Sequence, residues 1–413
     1  MEQGEAYLDI VWRQFKKNKS ALISLWMLVP LFLIAIFAPA IASNQPLVFY
    51  DGDQRLFPWL RWLFNPAEPI DFVFNMMMLG SVPWMFWQGL ANYLRKRRGM
   101  PGRRRLGWAI VELFIITAIL TAVFSHPDVR PKNKYKTRTF AQEQHQSSET
   151  KSGVYVLIPL GPREQDLEAM NKAPIFIREN AQEWTESNDG FPHVLGTDDT
   201  GRDVLVQMIY GTRISMTIGF LAVGLYVTIG VIIGATAGYF GGKIDMFISR
   251  IIEIVLLFPS FFLILTLVAL IGPSIYIIMF VIGITSWPSI ARLIRGEVLR
   301  QRAIEYTDAA RALGVSHFRV IFRHILPNAL SPALVAAPFG IANAIIIEAG
   351  LSLLGFGVRP PTPSWGTLLL LGSSNYSYWW FIVFPSIAIF VTVTVFNLIG
   401  SGLRDAMDPR LRS

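Results

Sequence analysis

The chain contains no cysteine. Disulfides, thiolate metal sites and cysteine nucleophiles are therefore excluded. The 5 histidines are scattered without ligand spacing. Charge is scarce: Asp, Glu, Lys and Arg make up 16% of the residues, against 52% hydrophobic. No G-x-x-x-x-G-K-[ST] loop is present to cradle a phosphate, and Gly242-Lys243 runs on to Ile244 without the upstream glycine. No G-x-S-x-G, no H-E-x-x-H and no paired catalytic set appears. An intramembrane hydrolase would need a nucleophile and a base facing each other within spans, and none is found. The chain itself is not expected to hydrolyse ATP.

What the chain does have is apolar length. Several runs in its 413 residues exceed the roughly 20 apolar residues that cross a bilayer. The formal net charge is +8, and the basic residues cluster beside those runs. Retention of cytoplasmic loops and contact with membrane lipids explain them better than nucleic acid. Residues 1–43 are read as a cytoplasmic amphipathic start followed by a first span, Ala21 to Ser43, too long for a signal-peptide core. Residues 44–125 hold an extracytoplasmic segment, with Trp59, Trp62 and Phe64 at the interface, and then a hairpin of two spans, Asp71 to Tyr93 and Gly107 to Phe124. Between these two lie Arg95-Lys96-Arg97-Arg98 and Arg103-Arg104-Arg105, favoured as an inside topology signal over an anionic-lipid or nucleic-acid patch.

Residues 126–210 turn polar and read as an extracytoplasmic subdomain. Within it Val154 to Ile158 is expected as a strand, and Glu164 to Met170 and Arg178 to Trp184 as short helices. Residues 211–403 form a core of five spans: Ser215 to Tyr239, Phe247 to Ile271, Ser274 to Ala291, Ala333 to Gly355 and Trp379 to Ile399. Residues 404–413 are a basic cytoplasmic tail with Arg404, Arg410 and Arg412. The expectation is eight crossings with both termini inside.

Some patterns carry finer expectations. Gly230, Gly234 and Gly238 repeat every four residues and make a smooth ridge for helix packing, with a subunit contact as the sharper version. Glu253 and Glu348 are carboxylates in or near spans, which are costly there and therefore of functional interest. Pairing with Arg250 is expected for Glu253. For Glu348, with Asn343 nearby, a place on the substrate path and a structural hydrogen bond both stay open. Between residues 300 and 327 lies a basic stretch without a span. There Ile304 to Leu313 favours helix, Gly314 suits a left-handed close, Ser316 is placed to cap a second helix and Pro327 to stop it. Glu305, Asp308, Ala309 and Ala312 share one face by their spacing.

That stretch resembles the EAA loop of the membrane subunits of ABC importers: E-A-A, three residues, Gly, then a variable run to Leu-Pro. Here it reads Asp308-Ala309-Ala310, Gly314 and Leu326-Pro327, with Asp308 in place of the usual Glu and His324 in place of a frequent Ile. The run His193, Gly196, Thr197, Asp198, Gly201, Arg202 and Asp203 resembles the H-x-L-G-T-D-x-x-G-R-D signature of dipeptide, oligopeptide and nickel permeases. Gly211-Thr212-Arg213-Ile214-Ser215, Gly238-Tyr239-Phe240-Gly241-Gly242, Pro363-Ser364-Trp365-Gly366 and Leu403 to Pro409 extend the likeness, which points to the C-type member of a permease pair. It implies an all-α integral membrane protein with the type I ABC importer fold. The hairpin is an insertion on which the likeness is silent, and it is expected to be separable from ATPase docking. Implied partners are a second permease in a heterodimer, two ATP-binding subunits that hold ATP and Mg, and an extracytoplasmic solute-binding protein. No cofactor is expected on this chain. The implied location is the bacterial inner membrane. Implied coupling runs through Glu305, Asp308, Ala309, Ala310, Gly314, Leu326 and Pro327. Peptide is the expected cargo, nickel or another small solute the alternative, and an ion-driven secondary transporter the rival mechanism.

Overall fold

The structure, a computed structural model, describes residues 7–97, 106–133, 135, 140, 151–175 and 192–408. The basic residues from Arg98 to Arg105, the Arg178 to Trp184 segment and the chain end from Pro409 lie outside the described residues. The chain divides into two compact units. One comprises Met1–Pro30, Ser215–Pro360 and Trp365–Ser413, the other Leu31–Ile214 and Pro361–Ser364.

In the first unit, helix α1 (Tyr7–Phe15) and the start of α2 (Lys19–Ile41) pack on the last helix of the chain, Trp380–Met407. Phe15 and Ala21 close over Gly402, where an added Cβ would lie 2.2 Å from the Cβ of Ala21. Asn18 Nδ2 donates to Asp405 Oδ2 at 3.1 Å.

The strands and small helices that follow α2 belong to the second unit: β1 (Val48–Asp51), β2 (Gln54–Leu56), α3 (Pro58–Leu63), α4 (Pro69–Arg97), α5 (Leu106–Ser125) and β3 (Lys151–Val154). The strands form one antiparallel sheet in the order β2-β1-β3, with Phe49 opposite Leu56 on one side and Gly153 on the other. The strand expected over Val154 to Ile158 therefore ends where it was expected to begin. Lys151 pairs with Asp51 across the ladder at 3.8 Å, and Ile158 bridges to Ala42 instead. The helix expected over Glu164 to Met170 is only a 3-10 turn, Leu167–Ala169. The backbone amide of Asp166 turns aside to the carbonyl of Gly201, which removes it from any longer helix. Phe64 does not face an interface: it is buried with Phe72 and Met76 against Leu120 and Phe124.

Helices α4 and α5 run antiparallel. Trp84 Nε1 donates to the Ala109 carbonyl at 2.7 Å, and Gln88 Nε2 to Glu112 Oε2 at 2.7 Å. Gly80 lets the two approach, since its Cβ would sit 3.0 Å from Ile116 Cγ2.

Helix α6 (Val204–Phe240) is 37 residues long and begins well before the expected span. It is followed by α7 (Gly242–Leu257), α8 (Ser260–Ile271), α9 (Ile275–Arg302) and α10 (Glu305–Ala312). Then come α11 (Ser331–Leu353), α12 (Trp365–Ser374) and α13 (Trp380–Met407). The apolar run Phe247 to Ile271, expected as one straight span, is broken between α7 and α8 by an 83° bend. Pro259 sits at the break. It offers no N–H and its ring crowds the carbonyl four residues earlier, which favours a break there. Helix α12 was not expected at all. Among the described residues, six helices are long and apolar enough to cross a membrane, or seven if the bent pair is one span, and α4, at 29 residues, is not among them. Asp71, Asn75, Gln88 and Asn92 dilute its apolar content.

In the first unit the glycine ridge of α6 lies against α9. Added Cβ atoms at Gly230, Gly234 and Gly238 would meet Ile290 Cβ at 2.7 Å, the Ala291 carbonyl oxygen at 2.5 Å and the Arg295 carbonyl oxygen at 2.8 Å. The ridge is filled by this chain's own helix. Arg295 reaches from α9 to Asp245 on α7, with Nη2 to Oδ2 at 2.7 Å.

The α6–α9 contact gives a direct test. A Cβ at Gly234 meets backbone that cannot rotate away, whereas a Cβ at Gly224 on the same helix meets nothing within 4 Å. Gly234→Ala is expected to lower the unfolding temperature of the purified subunit, at an overpacking cost of about 1–3 kcal/mol. Gly224→Ala is expected to be neutral or to stabilise by up to about 1 kcal/mol. Equal thermal unfolding of the two variants in detergent would count against this packing.

Candidate functional site

Two groups of residues carry the chemistry. The first lies on the loop after α9. Helix α10 starts at Glu305 and turns Glu305, Asp308, Ala309 and Ala312 outward, while Thr307 and Ala310 are buried. Thr307 Oγ1 fastens the inner face by donating to the Gln301 carbonyl at 2.9 Å. Ala310, grouped with the coupling residues by its motif position, is thus part of the support and not of the exposed face. Leu326 is buried in the same way.

Gly314 has φ +74°, the left-handed region its place in the sequence implies. Around it the amide of Gly314 donates to the Arg311 carbonyl at 2.9 Å and the amide of Val315 to the Ala310 carbonyl at 3.2 Å. This pair of bonds closes a helix on a left-handed residue.

Two expectations fail here. Ser316 precedes the next helical turn but makes no side-chain cap bond. Pro327 does not stop the helix: helical structure runs from His317 through a π segment, Val320–Ile325, into Leu326–Ala329, with Pro327 in the first turn of the last piece. A wider turn ahead of the proline relieves the clash of its ring with the preceding carbonyls.

The exposed surface of this loop is more apolar than its charges suggest. Leu313 is 83% exposed and Phe318 70%. The rings of Phe318 and Phe322 lie 4.3 Å apart, and with Arg319, Arg323 and Pro327 they line a shallow concavity. Behind it, Tyr239 at the end of α6 hydrogen-bonds His317 Nδ1 at 2.7 Å, and the Arg311 guanidinium lies 5.0 Å from the tyrosine ring. Sequence reasoning missed Leu313, Phe318 and Phe322. Their exposure was hidden because apolar residues in a loop are by default assigned inward.

The second group, in the other unit, is the run from His193 to Arg213. Asp198 is fully buried, and its carboxylate accepts from the Thr200 amide and hydroxyl, the Arg202 amide and Nε, and Gln207 Nε2, all between 2.7 and 2.9 Å. His193 Nδ1 meets Asp203 Oδ2 at 2.8 Å, while the other oxygen of Asp203 caps α6 through the Val206 amide. Thr197 Oγ1 donates to the Ala169 carbonyl and accepts from the Lys172 amide. At Gly201, with φ +78°, an added Cβ would fall 1.7 Å from the Asp166 carbonyl oxygen. His193, Thr197, Asp198, Arg202 and Asp203 are all buried and bonded into the fold.

Arg213 ends this group and is fully buried. Its Nε donates to the Ala35 carbonyl at 2.6 Å and its Nη2 to Ile36 at 3.1 Å. Its Nη1 reaches Asp71 Oδ1 at 3.0 Å and Asn75 Oδ1 at 3.1 Å. The guanidinium also lies over the rings of Phe74 and Tyr210. A carboxylate and an amide of the α4–α5 hairpin thus satisfy the buried arginine. Nothing in the sequence pointed from one to the other across 142 residues.

The remaining candidates separate. Glu348 is buried and its Oε1 accepts from Ser352 Oγ at 2.9 Å, whereas Asn343 is exposed on another face of α11. Glu253 pairs with Arg250 at 2.7 Å in an exposed position.

Residues 230–413 match the family described as binding-protein-dependent transport system inner membrane component. Residues 6–58 match the N-terminal TM domain of oligopeptide transport permease C. The dipeptide transport system permease protein DppC of Alkalihalophilus pseudofirmus is 41% identical over 58% of this chain and 81% of its own length. The oligopeptide transport system permease protein OppC of Haemophilus influenzae is 41% identical over 53% of this chain and 71% of its own. Among solved structures, the MetNI methionine ABC transporter in inward-facing form aligns with TM-score 0.41 at 15% identity, over 48% of this chain and 96% of that one.

The buried Arg213 pair makes its own prediction. Removing one partner strands the other, so Arg213→Met is expected to cost about 3–5 kcal/mol in unfolding stability. The double change Arg213→Met with Asp71→Leu is expected to recover much of that loss. Thermal unfolding of the purified variants measures both. A double variant as unstable as Arg213→Met would refute the pairing.

Proposed function

We propose that this chain, which belongs to the dipeptide and oligopeptide permeases of binding-protein-dependent transport systems, is the membrane subunit of an ATP-driven peptide importer. The relatives carry peptide names, dipeptide and oligopeptide among them, and peptide is the cargo assigned here. The chain is a multi-pass membrane permease with the mostly helical fold of type I importers and one small sheet, and it is not itself the ATPase of its system. We place it in a heterodimer with a second permease, served by two ATPases and an extracytoplasmic binding protein, with both of its termini in the cytoplasm.

The observation that carries this reading is the exposed face of the loop after α9. Leu313, Phe318 and Phe322 are exposed on a segment whose Val320, Ile321, Ile325 and Leu326 are buried, beside the small exposed Ala309. Apolar anchors beside a shallow patch make a protein docking surface. A partner ATPase seated there moves α10 when it closes on ATP. The movement passes through the Tyr239–His317 bond and the Arg311 contact to the end of α6, all within one unit. Alternating access follows when the spans respond, and the reverse coupling lets delivered substrate favour ATPase closure. Glu348, buried and bonded to Ser352, acts in this scheme as a strut of α11 and not as a contact for the cargo.

Three variants test the docking surface. Ala309→Trp obstructs it, Leu313→Asp puts a charge at its most exposed apolar point, and Gly314→Val cannot hold a positive φ without strain. Each is expected to insert normally and to weaken ATPase association by about tenfold, or about 1.4 kcal/mol, with loss of peptide uptake. The assay is ATPase pull-down beside uptake, at equal membrane levels. Full association and uptake in all three would rule out coupling through this loop.

Orientation has a separate test. A reporter fused after Arg98 is expected to read cytoplasmic, and one inserted between Gln142 and Ser148 to read extracytoplasmic. The opposite pattern would invert the proposed topology.

A further inference from the structure

The transport scheme leaves the α4–α5 hairpin unused. It lies between the two family-matched regions, 6–58 and 230–413. Its foot nevertheless holds three distant parts of the chain. Glu68 is the last residue before α4, and its carbonyl accepts from the Phe72 amide at 3.3 Å, so the helix starts on it. Its carboxylate Oε1 accepts from Thr362 Oγ1 at 2.7 Å and from Arg163 Nη2 at 2.8 Å. The same Nη2 lies 3.2 Å from Thr362 Oγ1. The three groups close a triangle, and the chemistry allows only one set of roles. Thr362 has a single hydroxyl hydrogen and gives it to Glu68. Its lone pair then takes a hydrogen from Arg163, which also donates to Glu68.

Position makes this more than a surface ion pair. Thr362 is buried, 7% exposed, and the Glu68 side chain is 21% exposed. The partners lie 95 and 294 residues from Glu68 along the chain. Glu68 also shares one face of the hairpin foot with Asp71 and Asn75, which grip Arg213. The foot is therefore fixed in place before it reaches Thr362. Thr362 stands between Pro361 and Pro363, so its backbone has little freedom of its own. Holding one hydroxyl thus orients the whole 361–364 turn that leads into α12.

We propose that Glu68 is a positioning residue for transport, acting through Thr362, and that the inserted hairpin is the fixed post on which the 361–364 turn is latched. This rests on the importer reading above. The latch stays closed during the cycle, so a permanent bond in its place serves as well as the native one.

The absence of native cysteine supplies the test. The full chain is assembled with its ATPases and binding protein in proteoliposomes, and peptide imported per ATP hydrolysed is measured. Glu68→Gln and Thr362→Val are each expected to lower that ratio several-fold with ATPase association unchanged, while Thr362→Ser keeps it at the wild-type value. The double variant Glu68→Gln with Thr362→Val falls no lower than the worse single one. Glu68→Cys with Thr362→Cys starts low and recovers when a short bis-methanethiosulfonate bridges the pair, each thiolate forming a disulfide as methanesulfinate leaves. A wild-type ratio in both single variants, a multiplied loss in the double variant, or no recovery on bridging would each overturn the latch alone. Absence of ATP-driven peptide uptake in the wild type would overturn the importer reading and the latch with it.

Discussion

Arg213 carries a full positive charge with no exposed surface, and stripping a charge of water costs several kcal/mol unless partners replace the solvent. Here the replacements come from three segments: carbonyls at the end of α2, a carboxylate and an amide at the start of α4, and two aromatic faces. Each must arrive at its place for the others to be tolerable. That requirement orders the rest of the second unit. The cluster of Ala38, Ala42, Ile158, Leu160, Val206, Ile209 and Tyr210 packs beside the arginine, and the Tyr210 hydroxyl donates to the Ala42 carbonyl at 2.9 Å. The signature run from His193 to Asp203 is spent on the same task one step earlier, because it seats the first turn of α6, from which Arg213 projects.

This arrangement changes how the hairpin is understood. An insertion that only crossed the membrane twice would be separable from the transport core. This one supplies the counter-charge for the buried Arg213. Removing its foot would take away the carboxylate that balances that charge.

What could be read in the sequence divides along physical lines. Long apolar runs announce helices without any knowledge of neighbours: four of the five core spans fall on single helices, and the fifth on the bent pair α7 and α8. Gly314 was legible because positive φ is a local property. Pairings were not: Arg213 with Asp71, Glu68 with Thr362 and Tyr239 with His317 depend on which surfaces meet, and spacing along one chain does not encode that. The break at Pro259 was visible as a residue but was overridden by the hydropathy around it. The helix stop assigned to Pro327 failed for the converse reason. A proline forbids a particular hydrogen bond, not helical structure as such, and the π segment supplies a turn that does without that bond.

That π segment also affects how the loop accommodates changes in length. A turn closed by i→i+5 bonds stores one more residue over the same rise than an α turn does. A sibling sequence with one residue fewer between Val320 and Ile325 could straighten into plain α-helix and still deliver Leu326 and Pro327 to the same address. The spacing between the glycine and the Leu-Pro pair is then an adjustable strap whose slack is taken up inside the helix, while the buckle at each end keeps its place.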